Sequence, residues 1–215
     1  MIKLSKRLQV LADFVESSDY VVDIGCDHGL LSIYLKENKK CMNIIASDIN
    51  ENALKNAVIN IKKRNLNIET VLSDGLEKID IEKVNTIIIS GMGTSTILHI
   101  LEDKDKLKGI NKIIIQSNNN HDILRFKLNE IGYYLDEKKT IDDSNKWYIS
   151  CKFIKSEKRN TLEEVKYGFL NNREYNIFLL KKYQNIYIKI PISNNRLKYD
   201  YLKKINKLKE TINNS

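Results

Sequence analysis

Seven short apolar runs, most of them separated by amphipathic segments, constrain this chain more than any other feature. Residues 20–24, 43–48, 68–72, 84–90, 112–116, 133–140 and 147–154 each read as a strand. Between them, 30–37, 51–64, 94–101 and 121–131 read as helices. In the second of these, Ala53, Leu54, Ala57, Val58 and Ile61 recur at helical spacing behind Asn50, a candidate N-cap. Strands alternating with helices imply βαβ units and a mainly parallel sheet. The run Ile87-Ile88-Ile89 suits a strand buried on both faces. The last two strands are joined by the polar turn Asp142-Asp143-Ser144-Asn145, too short for a helical crossover, so they pair antiparallel. The expected fold is an α/β doubly wound sheet of seven strands. Ligands of such sheets sit at the carboxyl ends of the strands.

The pattern changes after residue 154. Residues 155–166 are polar and charged and read as a linker. Leu179, Leu180, Tyr183 and Tyr187 then form one helical stripe. Leu197, Tyr201, Leu202, Ile205, Leu208 and Ile212 form another, beyond Pro191 and Ser193-Asn194-Asn195. Two helices with so short a break favour an antiparallel pair. The expected domains are therefore 1–154 and 155–215. Charge follows the same division. Residues 1–154 hold 22 Lys+Arg and 22 Asp+Glu, whereas 155–215 hold 14 and 6, which is the whole net charge of +8. A neutral ligand-binding body with a basic appendage for a polyanion is the expectation.

Several classes fall away on composition. No apolar run approaches the roughly 18 residues of a membrane span. The segment from Met1 to Arg7 lacks the apolar core of a signal peptide, so export is not expected. Cys26, Cys41 and Cys151 show no CxxC spacing, and the histidines are only His28, His99 and His121. A disulfide framework and a metal centre are not expected, and a reducing cytoplasm fits.

The first strand runs into Asp23-Ile24-Gly25-Cys26-Asp27-His28-Gly29. This is D-x-G-x-x-x-G, not the G-x-G-x-x-G that brings a backbone close to a pyrophosphate. A glycine turn with two acids suits a cationic ligand better than a phosphate. S-adenosylmethionine carries a sulfonium and an ammonium and no phosphate. Asp48 ends the second strand, where a carboxylate accepts from ribose hydroxyls. Asp74-Gly75 follows the third strand, where an acid meets an adenine amino group. The fourth strand ends in Ser90-Gly91-Met92-Gly93-Thr94, without the Pro-Pro-aromatic segment of many amino-directed DNA methyltransferases. Its glycines let a ligand approach the backbone closely. The fifth ends in Gln116-Ser117-Asn118, whose carboxamides suit a base edge. A nicotinamide dehydrogenase, a non-catalytic RNA-binding module and a methyltransferase of small molecules or proteins remain as rival readings.

On these segments the chain resembles the TrmK family of bacterial tRNA (adenine(22)-N1)-methyltransferases. Leu4-Ser5-Lys6-Arg7-Leu8, Ser47-Asp48-Ile49, Asp74-Gly75-Leu76, Ile97-Leu98, His121, Arg125 and Trp147-Tyr148 add to the match, which spans essentially the whole chain. One departure stands out: the family usually shows Gln-Pro-Asn where this chain has Gln116-Ser117-Asn118. The resemblance implies a class I Rossmann-like methyltransferase fold with a small C-terminal coiled-coil domain. The cofactor is S-adenosylmethionine, leaving as S-adenosylhomocysteine, and the partner is tRNA, bound by a cytoplasmic monomer. Asp23, Gly25, Gly29, Asp48, Ile49, Asp74, Gly75, Gly91, Met92 and Gly93 are then expected to hold the cofactor. Asp27, His28, Gln116 and Asn118 are expected to serve catalysis at the target base, with a cofactor-loop hydrogen bond as the alternative for Asp27 and packing at a helix start as the alternative for His28. Ser5, Lys6, Arg7 and the basic residues Lys181, Lys182, Lys198, Lys203, Lys204, Lys207 and Lys209 are expected to meet tRNA.

Overall fold

The computed structural model describes residues 2–38, 40–144 and 146–214. It opens with helix α1 (Lys6–Asp13), capped by the Ser5 hydroxyl, and strand β1 (Tyr20–Ile24). There follow α2 (Leu30–Glu37), β2 (Asn43–Asp48), α3 (Glu51–Lys62), β3 (Glu69–Leu72) and β4 (Thr86–Met92). Next come α4 (Thr94–Ile100), β5 (Lys112–Ser117), α5 (His121–Glu130), β6 (Tyr133–Asp143), β7 (Lys146–Lys155) and α6 (Leu162–Tyr167). As expected, Asn50 caps α3, accepting from the amides of Asn52 and Ala53.

The sheet order is β3-β2-β1-β4-β5-β7-β6. The first five strands pair in parallel, and β7 runs antiparallel to both β5 and β6. The expected seven strands and the antiparallel last pair are both present. The expected turn tightens, because Asp142 and Asp143 still pair across the hairpin; Ser144 turns at a φ of 58°, and Asn145 lies outside the described residues. Val21, Val22, Ile87, Ile88, Ile89, Ile113 and Ile114 are fully buried, as befits central strands covered on both faces. Against one face, Leu11, Ala12 and Val15 join Leu31, Ile33, Leu35, Ala57 and Ile61 in a continuous core.

Two compact units make up the chain, the first ending at Gly168 and the second beginning at Phe169. The segment 155–166, expected as a linker, is thus part of the first unit. Thr161 and Glu164 form a capping box that starts α6. Arg125 on α5 then donates from Nε to the Val165 carbonyl at 2.7 Å and from Nη2 to the Lys166 carbonyl at 2.9 Å.

The second unit consists of α7 (Arg173–Lys189) and α8 (Asn195–Asn213), joined around Pro191. Asn172 and Asn194 cap them. Tyr183 meets Tyr201 edge-on at 5.6 Å, and Lys198 lies over Tyr187 while Lys204 lies over Tyr183. Contacts that descend one helix as they climb the other make the pair antiparallel. Residues 169–215 hold 10 Lys+Arg and 3 Asp+Glu, so most of the net charge belongs to this unit. Among the described residues, no helix is long and apolar enough to cross a membrane.

Candidate active site

Parallel pairing brings the carboxyl ends of β1, β2, β4 and β5 to one edge of the sheet. The antiparallel β7 brings its first residues, and hence Tyr148, to the same edge. After β1 the chain turns sharply: the amides of Gly25 and Cys26 both donate to the Ser47 carbonyl, at 2.8 and 2.9 Å. Gly25 has a φ of 72°, and a Cβ there would stand 2.2 Å from Cε of Met92. The left-handed φ is what favours glycine, since the tip of Met92 can swing aside. Gly29, also at positive φ, closes the loop as the residue preceding α2.

The acids of this loop differ in environment. Asp23 is 3% exposed and accepts from the Ser32 hydroxyl at 2.7 Å. Burial, and secondarily the charge of Asp48, pushes its pKa up to about 6 against the pull of Ser32. Asp48 is buried and accepts from the amide of Asp27 at 3.0 Å and of Asn50 at 2.8 Å, one on each oxygen. Each oxygen retains a lone pair for a hydroxyl. Asp27 sits at a φ of 51°, with His28 Nε2 3.6 Å from its Oδ1 and both side chains more than half exposed. Burial pushes the Cys26 thiol far up, with help from Asp23 and Asp48, so no thiolate nucleophile stands here.

A cleft of about 220 Å³ lies beside this loop, lined among others by Arg7, Asp23, Gly25, Asp27, His28, Ser90 and Gly91. Arg7 is its only lysine or arginine among the described residues. The acceptor set suits a ligand bearing positive charge and hydroxyls, with two carboxylates on the wall and a third behind the loop. Ile49, 66% exposed next to Asp48, leaves an apolar face at the same rim. Asp74 and Gly75, by contrast, line a separate cavity of about 350 Å³ with Glu77, His99, Glu102 and Asp103. The Ser73 amide donates to the Asp48 carbonyl at 3.1 Å, so they follow β3 at the same sheet edge as Asp48. Among the described residues, no group of three or more His, Cys, Asp or Glu is placed to hold a metal ion.

The carboxamides at the end of β5 part company. Gln116 is 1% exposed: its Oε1 accepts from Arg7 Nη1 at 2.8 Å, and its Nε2 donates to the Ser117 carbonyl and to Asn118 Oδ1. It therefore faces protein rather than a base. Asn118 is exposed and donates from Nδ2 to the Gly91 carbonyl at 2.7 Å. Ser117, where the family has proline, is buried, and its hydroxyl bonds Thr94 Oγ1 at 2.8 Å and the Asn119 carbonyl at 2.9 Å. Hydrogen bonds to α4 thus hold the loop that a fixed φ would otherwise stiffen. His121, pushed down to about 4 by burial, is neutral and meets the Ser117 carbonyl at 3.1 Å.

The candidate RNA-facing residues also divide. Ser5 is spent as the cap of α1, Lys6 is exposed, and Arg7 turns inward over the Tyr148 ring at 5.5 Å. In the second unit Lys181, Lys182, Lys203 and Lys209 are exposed. Lys198, Lys204 and Lys207 are half-buried, the first two over tyrosine rings, so the helices do not display all seven lysines. The inward Arg7, the donor Ser32 and the rim position of Tyr148 were not foreseen from sequence; an arginine after a capping serine reads equally well as a surface charge.

A family model described as a methyltransferase domain matches residues 4–150. The tRNA (adenine(22)-N(1))-methyltransferase of Bacillus subtilis is 36% identical over 150 residues, 68% of this chain; the match spans only 63% of that relative's length. Two solved structures superpose over nearly the whole chain. The B. subtilis m1A22 tRNA methyltransferase TrmK matches at a TM-score of 0.84 and 27% identity, covering 99% of this chain and 100% of that one. TrmK of M. capricolum, in complex with S-adenosyl-homocysteine, matches at 0.83 and 29%, covering 98% of each.

Proposed function

This chain belongs to the methyltransferase-domain family, and from that premise we propose that it transfers a methyl group from S-adenosylmethionine to N1 of adenine 22 in tRNA. The observation that carries the reading is the acid-lined glycine turn. Asp23 and Asp27 stand on a cleft with no cradle for phosphate, at the edge where Asp48 ends β2 and Asn118 follows β5. Similarity to proteins named for m1A22 methylation, over nearly the whole chain in structure, supports the choice of substrate.

S-adenosylmethionine supplies an electrophilic methyl on a cationic sulfur. Asp23 and the Gly25 turn hold that ligand's charged part, and Asp48 and Ile49 its ribose side. Adenine N1 is an in-plane lone pair without a proton, so no general base has to activate it. Catalysis by this chain is then mainly positioning, which is worth on the order of 7–11 kcal/mol for well-oriented reactants. The methylated base is cationic, and the exposed carboxylate of Asp27 complements that charge. In a paired stem N1 is hydrogen-bonded, so the base has to leave its partner first. The second unit, with its exposed lysines, meets tRNA phosphates.

The test is transfer of labelled methyl from S-adenosylmethionine to unmodified tRNA, followed by nucleoside analysis. Label in 1-methyladenosine that disappears when adenine 22 is replaced is the expected result. Label that enters protein or a small molecule and never tRNA overturns the reading.

A further inference from the structure

We propose that Arg7 is a positioning residue which, acting through Gln116, sets the polarity with which the Asn118 carboxamide meets the target base. The inference deepens the reading of this site as an adenine-N1 methyltransferase and rests on it. Arg7 Nη1 donates to Gln116 Oε1 at 2.8 Å. A guanidinium has five N–H donors and no acceptor, so it is the oxygen of Gln116 that faces it. The nitrogen of Gln116 then points away and donates to the Ser117 carbonyl at 3.0 Å and to Asn118 Oδ1 at 3.2 Å. With that oxygen engaged as an acceptor, Asn118 turns its nitrogen to the Gly91 carbonyl at 2.7 Å. Backbone carbonyls, of Ser117 for Gln116 and of Gly91 for Asn118, hold each carboxamide the same way round as the side chain before it does, and Arg7 is the one side chain in the series that cannot reverse.

Burial makes the relay stiff. Gln116 is 1% exposed, so a reversed carboxamide would set donor against donor with no water to relieve it. Gly91 makes the room: its φ is 76°, and a Cβ there would stand 3.3 Å from Arg7 Nη1. The Arg7 guanidinium also lies over the Tyr148 ring at 5.5 Å. Protein thus engages this cation on two sides, which is not how a side chain waits for a phosphate.

The exposed end of the relay carries the consequence. Asn118 keeps one lone pair on Oδ1 and one hydrogen on Nδ2 in fixed places. Adenine carries an amino donor at position 6, where guanine carries a carbonyl acceptor. The amino group of adenine takes the Oδ1 site and leaves N1 untouched. Reversal of Asn118 would offer a donor to a donor.

The test uses the full chain with unmodified tRNA and S-adenosylmethionine, and the variants Arg7→Gln and Gln116→Glu. The first lets Gln116 turn either way. The second offers Asn118 an acceptor, so Asn118 has to reverse. The relay expects the single-turnover rate at saturating tRNA and cofactor to fall at least twofold in Arg7→Gln, where the productive orientation is diluted, and at least tenfold in Gln116→Glu, with little further loss in the double variant. The salt slope of tRNA affinity stays within twofold of the native chain. In both variants the side-chain amide signals of Asn118 move in nitrogen-resolved NMR, a readout that needs no methyl transfer. An unchanged saturating rate with a flatter salt slope would make Arg7 a phosphate contact and overturn the proposal. Asn118 signals that stay in place overturn it as well. A native chain that fails to methylate adenine removes the functional reading alone, and the Asn118 signals still decide the relay.

Discussion

Replacing Asp23 by asparagine should make the protein more stable at neutral pH and a poorer binder of S-adenosylmethionine. Asp23 is 3% exposed, and the Ser32 hydroxyl is its side-chain donor. Burial first, and the Asp48 charge after it, raises its pKa from 3.8 to about 6. A carboxyl with a higher pKa in the folded state binds more protons there than in the unfolded chain. Its favourable contribution is fully present below about pH 4 and is lost as pH rises through about 6. The distance between those values corresponds to about 3 kcal/mol. Asparagine keeps an acceptor for Ser32 and carries no charge. At pH 7.5 the variant should therefore gain up to about 3 kcal/mol, which is on the order of 6–12 °C in Tm for a chain of this size. At pH 4 the gain should vanish. Scanning calorimetry of both proteins at the two pH values measures it. A cationic ligand favours the ionised carboxyl, so native cofactor affinity should weaken about tenfold per pH unit below 6, and the variant should lose that dependence. An equal gain at both pH values, or a flat native affinity profile, would refute the argument that burial makes this charge costly.

Asp48→Ala should weaken S-adenosylmethionine binding by about 1–3 kcal/mol, the usual cost of removing hydrogen bonds to a charged group; an unchanged calorimetric affinity in a folded variant removes Asp48 from the ribose site. Ser117→Ala breaks the bond from the β5 end to Thr94 and should lower stability by about 1–3 kcal/mol, read as a drop in Tm; an unchanged Tm means that the loop is held by other groups. Replacing the exposed Lys181, Lys182, Lys203 and Lys209 by glutamine should flatten the slope of log tRNA affinity against log salt by up to about 0.9 for each phosphate that is no longer neutralised. A slope equal to that of the native chain would show that these helices do not meet phosphates.

Much of the first unit was legible because its central strands are buried on both faces and so read as unbroken apolar runs. Ile87-Ile88-Ile89 and Ile113-Ile114-Ile115 leave little choice. Short helices were harder to read. The eight residues of α1 and the six of α6 span about two turns each, too little for a helical period to stand out, and α6 lies in a charged stretch where its capping box is the main signal. The ends of β6 and β7 are charged because they project beyond the core, so the apolar pattern stops short of the turn in both strands. In the site, the glycine turn and the acids at strand ends were readable as residue types at fixed spacing. Gln116 and Asn118 were not separable, since they stand two residues apart in the same chemistry.

What the sequence determined by itself was local: the order of the elements, the antiparallel closing pair, a charge-neutral body with a basic tail, and a glycine turn unsuited to phosphate. These follow from periodicity, turn length and side-chain chemistry, which act over a few residues. Tertiary structure alone decided the rest. It carried Arg7 across more than a hundred residues of chain to Gln116, set Ser73 against the Asp48 carbonyl, and drew residues 155–168 into the first unit. It also made Asp23 a carboxyl that ionises near pH 6. Each of these depends on which groups a strand end faces and how much water reaches them. Burial and distance set those conditions, and both arise only when segments remote in sequence pack together.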